Sequence, residues 1–169
     1  MKYTKDITLI ALLTVILFLQ EQILSFIPNV QLTVFFFVLY SKKLDFVKTI
    51  LIGIIYVILD NIIGGFNLLF LPFMLLGWLI IPMLINTIFK KVESNIYLAL
   101  LGILFSLIYS WINIIPGCIM FNMDFITYLK GDLIWEITLA SSSFLTILLL
   151  YNPCSKLFDR YITKKGISI

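Results

Sequence analysis

Six apolar stretches alternate with short polar connections along this 169-residue chain, and each is read as a helix: Ile7 to Ile27, Val30 to Tyr40, Phe46 to Leu59, Leu68 to Phe89, Ile96 to Ile115 and Leu133 to Tyr151. A helix rises 1.5 Å per residue, so about 20 residues cross a hydrocarbon core about 30 Å thick. The second and third stretches reach only about 17 and 21 Å. Such segments must borrow flanking residues, thin the bilayer, or stop at a water-filled cavity, where irregular backbone is tolerated at membrane depth. Pro28, Pro116 and Pro153 are expected at helix boundaries, and Pro72 and Pro82 inside the fourth helix, which they should kink. Gly64 and Gly65 predict a flexible turn. No linker, low-complexity segment or strong internal repeat divides the chain, so residues 1–169 are expected to form one domain.

The polar residues are distributed asymmetrically. Near the ends of alternate stretches lie Glu21, Asn29, Gln31, Asp60, Asn67, Tyr109, Asn113, Asp132, Trp135 and Glu136, while the opposite ends carry few uncharged polar groups. Residues three or four apart share a helix face. Asp132, Glu136, Ala140 and Ser143 therefore form one face, Gly102, Ser106, Tyr109 and Asn113 another, and Glu21 with Ser25 and Tyr56 with Asp60 form shorter pairs. An acidic side chain at the centre of a spanning helix costs about 2.5–3.5 kcal/mol, so these faces should point inward.

Composition places the chain outside the soluble globular range: 62% of its residues are hydrophobic, 12% are charged, and mean hydropathy is +1.11. Charge then fixes an expected orientation. Lys2, Lys5, Lys42, Lys43, Lys48, Lys90, Lys91, Lys156, Arg160, Lys164 and Lys165 all fall at one set of ends, and Lys130 alone at the other. Under the positive-inside rule both termini are cytoplasmic and the number of spans is even, giving an all-α integral membrane protein, a six-helix transmembrane bundle in the cell membrane. The run after Lys2 and Lys5 leads into Gln20, Glu21 and Gln22 without a small-residue cleavage site, so it reads as a retained span. Orientation accounts for the net charge of +3, and a nucleic-acid partner is not expected. At the other ends Lys130 faces five carboxylates, Glu21, Asp60, Asp124, Asp132 and Glu136. That excess, with Tyr109, Trp111 and Trp135, favours a ligand that is cationic or rich in donors and carries a flat ring. For several of these residues a bland role competes: Asp60, Asp124 and Asp132 as caps or solvated groups, the tryptophans as interfacial anchors, and Trp78 as packing or a cavity floor.

Catalytic signatures are missing. The chain has no histidine, and it lacks a phosphate-binding loop, a nucleophile elbow and a dinucleotide fingerprint. Ser141 to Ser143 have no adjacent base and read as helix packing. Cys118 and Cys154 belong to opposite ends and are expected unpaired. No enzyme activity, cofactor or metal is expected from these residues. A polar recess without a nucleotide site implies a protein that captures a solute and depends on partners for energy.

The stretch Phe26-Ile27-Pro28-Asn29-Val30-Gln31-Leu32-Thr33, with Asp60-Asn61, Pro72-Phe73-Met74 through Gly77-Trp78, and Tyr151-Asn152-Pro153, resembles the substrate-binding S components of energy-coupling factor (ECF) transporters. The resemblance covers roughly residues 7–160. It implies high-affinity capture of a vitamin or related micronutrient from outside, then docking on a transmembrane coupling subunit driven by two ATPase subunits, with toppling of the S component in the membrane. It assigns the pocket to Asn67, Tyr109, Asn113, Asp132 and Glu136, with Asn29 and Gln31 in the first loop. Family docking often uses an A-x-x-x-A pattern on the first helix; here Ala11 is followed by Val15, and Thr8, Ala11 and Thr14 are the candidate docking face. The absence of histidine argues against nickel or cobalt as cargo. Two other classes stay open on the residues alone: an intramembrane enzyme acting on a lipid or isoprenoid through Glu21, Asp60 or Glu136, and a noncatalytic membrane assembly factor.

Overall fold

A computed structural model describes residues 2–161, and side chains over 4–160; Lys164 and Lys165 lie outside the described residues. Within them the chain is six helices and no strand: α1 Lys2–Leu24, α2 Thr33–Lys43, α3 Phe46–Gly64, α4 Leu71–Asn86, α5 Asn95–Phe121 and α6 Phe125–Tyr161. Four of them (α1, α3, α5 and α6) are long and apolar enough to cross a membrane, and α4 is apolar but shorter.

The helix bounds differ from those expected from apolarity, for identifiable reasons. The third helix is full length, because backbone hydrogen bonds continue through Asp60 and Asn61 and the Asn61 amide donates to the Val57 carbonyl at 3.1 Å. The fourth is the shorter one, with Pro72 in its first turn, where a missing N–H costs nothing, and only Pro82 inside. Pro116 and Pro153 lie within α5 and α6 rather than at their ends. Inside a packed bundle one lost backbone bond is tolerated, and Pro116 is buried beside Gly117, which lies under the Tyr128 ring. α6 starts eight residues earlier than apolarity suggests, at Phe125, because Asp124 caps it by accepting from the Thr127 N–H at 3.0 Å.

The eleven-residue α2 is the hub. Eight of its residues are buried, and it packs against all five other helices. The others follow one another around it in the order α1, α3, α4, α5, α6; among the described residues α1 packs only on α3 and α2, so it does not meet α6 directly. α2 bridges that seam, with the Tyr40 hydroxyl donating to the Leu13 carbonyl of α1 at 3.2 Å and its ring lying 5.9 Å from that of Phe158 on α6. An ideal α2 is only about 17 Å long, so its first turn and the preceding connection sit deep within the bundle.

The two ends of the bundle are chemically distinct. At the lysine end, Lys48 of α3 pairs with Asp6 of α1 and with Asp45, each at 3.1 Å, Lys43 pairs with Asp159 of α6 at 2.7 Å, and Lys42 donates to the carbonyls of Phe89 and Lys90 after α4. The opposite, carboxylate end gathers the last turns of α1, α3 and α5 with the first turns of α2, α4 and α6. Cys118 lies toward the carboxylate end and Cys154 toward the lysine end, both free.

Candidate functional site

At the carboxylate end the chain between α1 and α2 does not stay on the surface. Asn29 takes a left-handed conformation (φ 60°), and the chain then runs inward to Gln31, whose backbone N–H donates to the Ser142 hydroxyl at 3.2 Å and whose carbonyl accepts from it at 3.0 Å. Ser142 is near the middle of the 37-residue α6. Gln20 of α1 supplies the remaining partners: its carbonyl accepts from the Leu32 N–H at 2.8 Å, and its amide donates to Thr33 Oγ1 at 2.9 Å. The Thr33 hydroxyl donates to the Gln31 side chain at 2.8 Å. Irregular backbone this deep is stable only when every group is matched, and Gln20, Gln31, Thr33 and Ser142 do that matching. Gln20 is legible in retrospect: it extends the buried stripe Leu9, Leu13, Leu17 by one more turn.

Beside this floor lies a tier of aromatic rings. Phe37 of α2 stacks on Trp78 of α4 (centroids 5.5 Å, 4° between planes), and Trp78 stacks on Tyr109 of α5 at 3.8 Å. Tyr56 of α3 meets both Phe37 and Trp78 edge-on, at 6.1 and 6.3 Å. The stack depends on Gly77, because a Cβ there would stand 2.7 Å from the Tyr109 ring. Trp78 is therefore part of the floor, with Phe37 on one face and Tyr109 on the other.

Four of the acidic residues separate into two pairs, with a hydroxyl on Glu21 in one and a hydroxyl shared by both members of the other. In the first, the Tyr56 hydroxyl donates to Glu21 across the α1–α3 contact, and Asp60, one turn beyond Tyr56 on the same face, lies within electrostatic reach of Glu21. In the second, Ser110 of α5 stands 3.0 Å from Glu136 and 3.2 Å from Asp132, both on α6. A serine has one proton to donate, so it serves these two carboxylates alternately. Glu136 is only 5% exposed, whereas Asp132 is half-buried. Among the described residues every ion pair is at the lysine end, and none involves Glu21, Asp60, Asp132 or Glu136.

Other expected site residues are placed differently. Tyr109 belongs to the first pair's surroundings, within electrostatic reach of Glu21 and Asp60. Asn113 follows it by one turn, donates to the Tyr109 carbonyl at 2.9 Å, and has a buried amide oxygen without a partner. Asn67 shapes the turn into α4 by accepting from the Leu69 N–H at 3.0 Å. Trp135, 43% exposed, faces outward, and Ser25, just past the end of α1, is exposed and donates to the Gln22 carbonyl at 2.8 Å. The buried Ser143 hydroxyl accepts from Ser106 at 2.7 Å, the helix-packing role expected of that serine run. Asp124 is a cap, and its hydrogen bonds from Thr127 hold its carboxyl below the usual range. Tyr56, Ser110 and Gln20 complete the arrangement; the spacing of Tyr56 to Asp60 is the sequence signal for the first.

The proposed docking residues lie on α1 toward the lysine end. Ala11 and Thr14 line an apolar cleft of about 380 Å³ between α1 and α3, with Ile7, Ile10, Val15, Leu51, Ile55 and Leu59. Thr8 is exposed beside it, and the hydroxyls of Thr8 and Thr14 donate to the carbonyls of Thr4 and Ile10 within their own helix. Among the described residues no set of three His, Cys, Asp or Glu converges to hold a metal ion. Neither a protein-family model, nor a protein of established function, nor a solved structure matches this chain.

Proposed function

We propose that this chain is a membrane-embedded solute-binding subunit of the S-component type, its six helices in the bilayer, the lysine end and both termini in the cytoplasm of a prokaryotic cell, and the carboxylate end outside. The observation that carries the reading is the sunken first turn of α2, beside which Tyr56, Trp78 and Tyr109 form an aromatic floor, with three carboxylates, Glu21, Asp132 and Glu136, on hydroxyls and, among the described residues, none of these or Asp60 in an ion pair. A purely structural end would be expected to neutralise or omit such charges, because each is costly near hydrocarbon. Solute arriving from outside meets these groups, and the connection at residues 25–32 supplies backbone close to it. The chain has no nucleotide-binding motif, so a coupling subunit and two ATPases supply the energy, docking along the α1 face that carries Thr8, Ala11 and Thr14.

The test is direct. Full-length protein purified from cells grown in rich medium is extracted and its bound small molecules are identified by mass spectrometry, then the same protein is reconstituted alone in liposomes. One tightly held micronutrient, and no ATP-dependent uptake without added partners, are the expected results. Turnover of a lipid or isoprenoid by the isolated chain would support the enzymatic alternative instead. An empty protein that binds nothing from the medium would remove the binding reading.

A further inference from the structure

Resting on the placement of the helices in a membrane and not on solute capture, we propose that the lysine end holds one anionic phospholipid, its phosphate at the turn that follows α4 and one acyl chain in the groove between that turn and α5. The groove, about 260 Å³, is lined by Phe89, Val92, Tyr97, Leu100, Leu101 and Leu104, without a charged side chain. From Tyr97 to Leu104 it follows α5 for about 10 Å, an elongated shape that suits a chain better than a ring. The Val92 N–H donates to the Phe89 carbonyl at 3.1 Å, so Lys90 and Lys91 are the corner residues of a closed turn whose two base residues are groove walls. The Phe89 ring is seated against that of Phe105 on α5, 6.2 Å between centroids. Both lysines are exposed and, among the described residues, neither is in an ion pair. A third cation reaches the same turn from inside the bundle: Lys42 of α2 donates to the carbonyls of Phe89 at 2.9 Å and Lys90 at 3.0 Å. Those carbonyls fix the ammonium without supplying a counter-charge, and of its three protons one is left for a further acceptor. Glu93, also exposed, is the single acidic residue of the connection between α4 and α5, so three lysines stand against one carboxylate at this turn.

The pairing of an apolar groove with open cations at its end is what selects the occupant. Hydrocarbon fills such a groove whatever the headgroup, while each lysine near the membrane surface strengthens the hold on an anionic lipid about fivefold. Tyr97, 64% exposed in the first turn of α5, stands where an interfacial aromatic ring meets headgroups. Other grooves lack the combination. The one between α5 and α6, at Ile103, Ile137, Ala140 and Ser141, lies midway along the bundle and no lysine or arginine borders it. At the α1–α3 cleft, Lys48 is already closed by Asp6 and Asp45.

The test titrates full-length protein in neutral detergent with phosphatidylglycerol and phosphatidylcholine of identical acyl chains, read by native mass spectrometry. One phosphatidylglycerol is expected to bind at least about fivefold more tightly than phosphatidylcholine. Lys90→Gln combined with Lys91→Gln should remove most of that preference, whereas Lys5→Gln, which removes an exposed lysine of α1 at the same end, should keep it. Leu104→Trp fills the groove and should weaken both lipids alike. Phosphatidylglycerol carrying a diazirine in its acyl chain should crosslink to residues 97–104, a result that decides the location even where the double lysine variant does not fold. Equal affinity for the two lipids, a preference unchanged in a folded double lysine variant, or crosslinks confined to α1 and α3 overturns the proposal. Displacement of the lipid by an equal concentration of glycerol 3-phosphate would assign the turn to a soluble phosphate and overturn it as well. Recovery of a bound micronutrient bears on solute capture alone, so either reading can fail while the other stands.

Discussion

The lysine end and the carboxylate end both carry charge, far more of it at the lysine end, and they use it in opposite ways. At the lysine end each of three lysines on α2 and α3 is matched: Lys48 between Asp6 and Asp45, Lys43 on Asp159, and Lys42 on the carbonyls of Phe89 and Lys90. These contacts tie α1, α2, α3 and α6 together and seat α2 on the chain that follows α4. At the carboxylate end Glu21 meets Tyr56, and Asp132 and Glu136 meet Ser110, hydroxyls that satisfy lone pairs without offsetting charge. Charge that is closed on itself holds helices together; charge left open is available to something that arrives.

The largest expected effect lies at the closed end. Lys48 is 8% exposed, and Lys48→Met leaves two carboxylates facing each other without a cation. A loss of about 2–4 kcal/mol is expected, less than for a fully buried triad because Asp45 is partly exposed, and it is read from chemical or thermal unfolding in detergent. An unchanged midpoint would mean that the closed network does not hold the bundle.

The aromatic floor comes next. Gly77→Val places side-chain carbon against the Tyr109 ring and should cost about 1–3 kcal/mol, with altered near-ultraviolet circular dichroism as the Trp78–Tyr109 stack separates. Retention of that spectrum together with wild-type stability would show that the two helices shift apart freely. Ser142→Ala is expected to cost about 1–2 kcal/mol, because it strips both hydrogen bonds from the Gln31 backbone. Faster amide exchange confined to residues 29–33 is the accompanying signature.

The comparison sharpens most at the open end. Glu21→Gln and Asp60→Asn should leave stability unchanged or raise it by up to about 1 kcal/mol, since no ion pair is broken and a buried charge is removed. Destabilisation by more than that would place these carboxylates in the same structural class as Asp6. The smallest effect belongs to Asp124. Its carboxyl titrates below the ordinary range because Thr127 donates to the charged form, so the cap's contribution is complete above the usual aspartate pKa and is lost as pH falls through the lowered value. Amide exchange at Thr127 followed across that acidic window should show the change in the wild type and not in Asp124→Ala.

Much of this layout was legible in residue order. Alternation of lysine-rich and carboxylate-rich connections separates the two ends, because charge is costly near hydrocarbon and must collect where helices emerge. Helical spacing was enough to group Asp132 with Glu136 and Tyr56 with Asp60, since residues four apart share a face whatever the tertiary arrangement. What order could not decide was which helix becomes the hub, because the length of α2 shows that it is short without showing that five neighbours surround it. Nor could it decide that Gln20, rather than an adjacent cap, serves the first turn of α2, that Ser142 receives the inward connection, or that α5 and α6 continue through Pro116 and Pro153. Those outcomes depend on partners distant in sequence: Gln31 and Ser142 are 111 residues apart and Glu21 and Tyr56 are 35 apart, and only packing brings a donor to a backbone group or a hydroxyl to a carboxylate at that range.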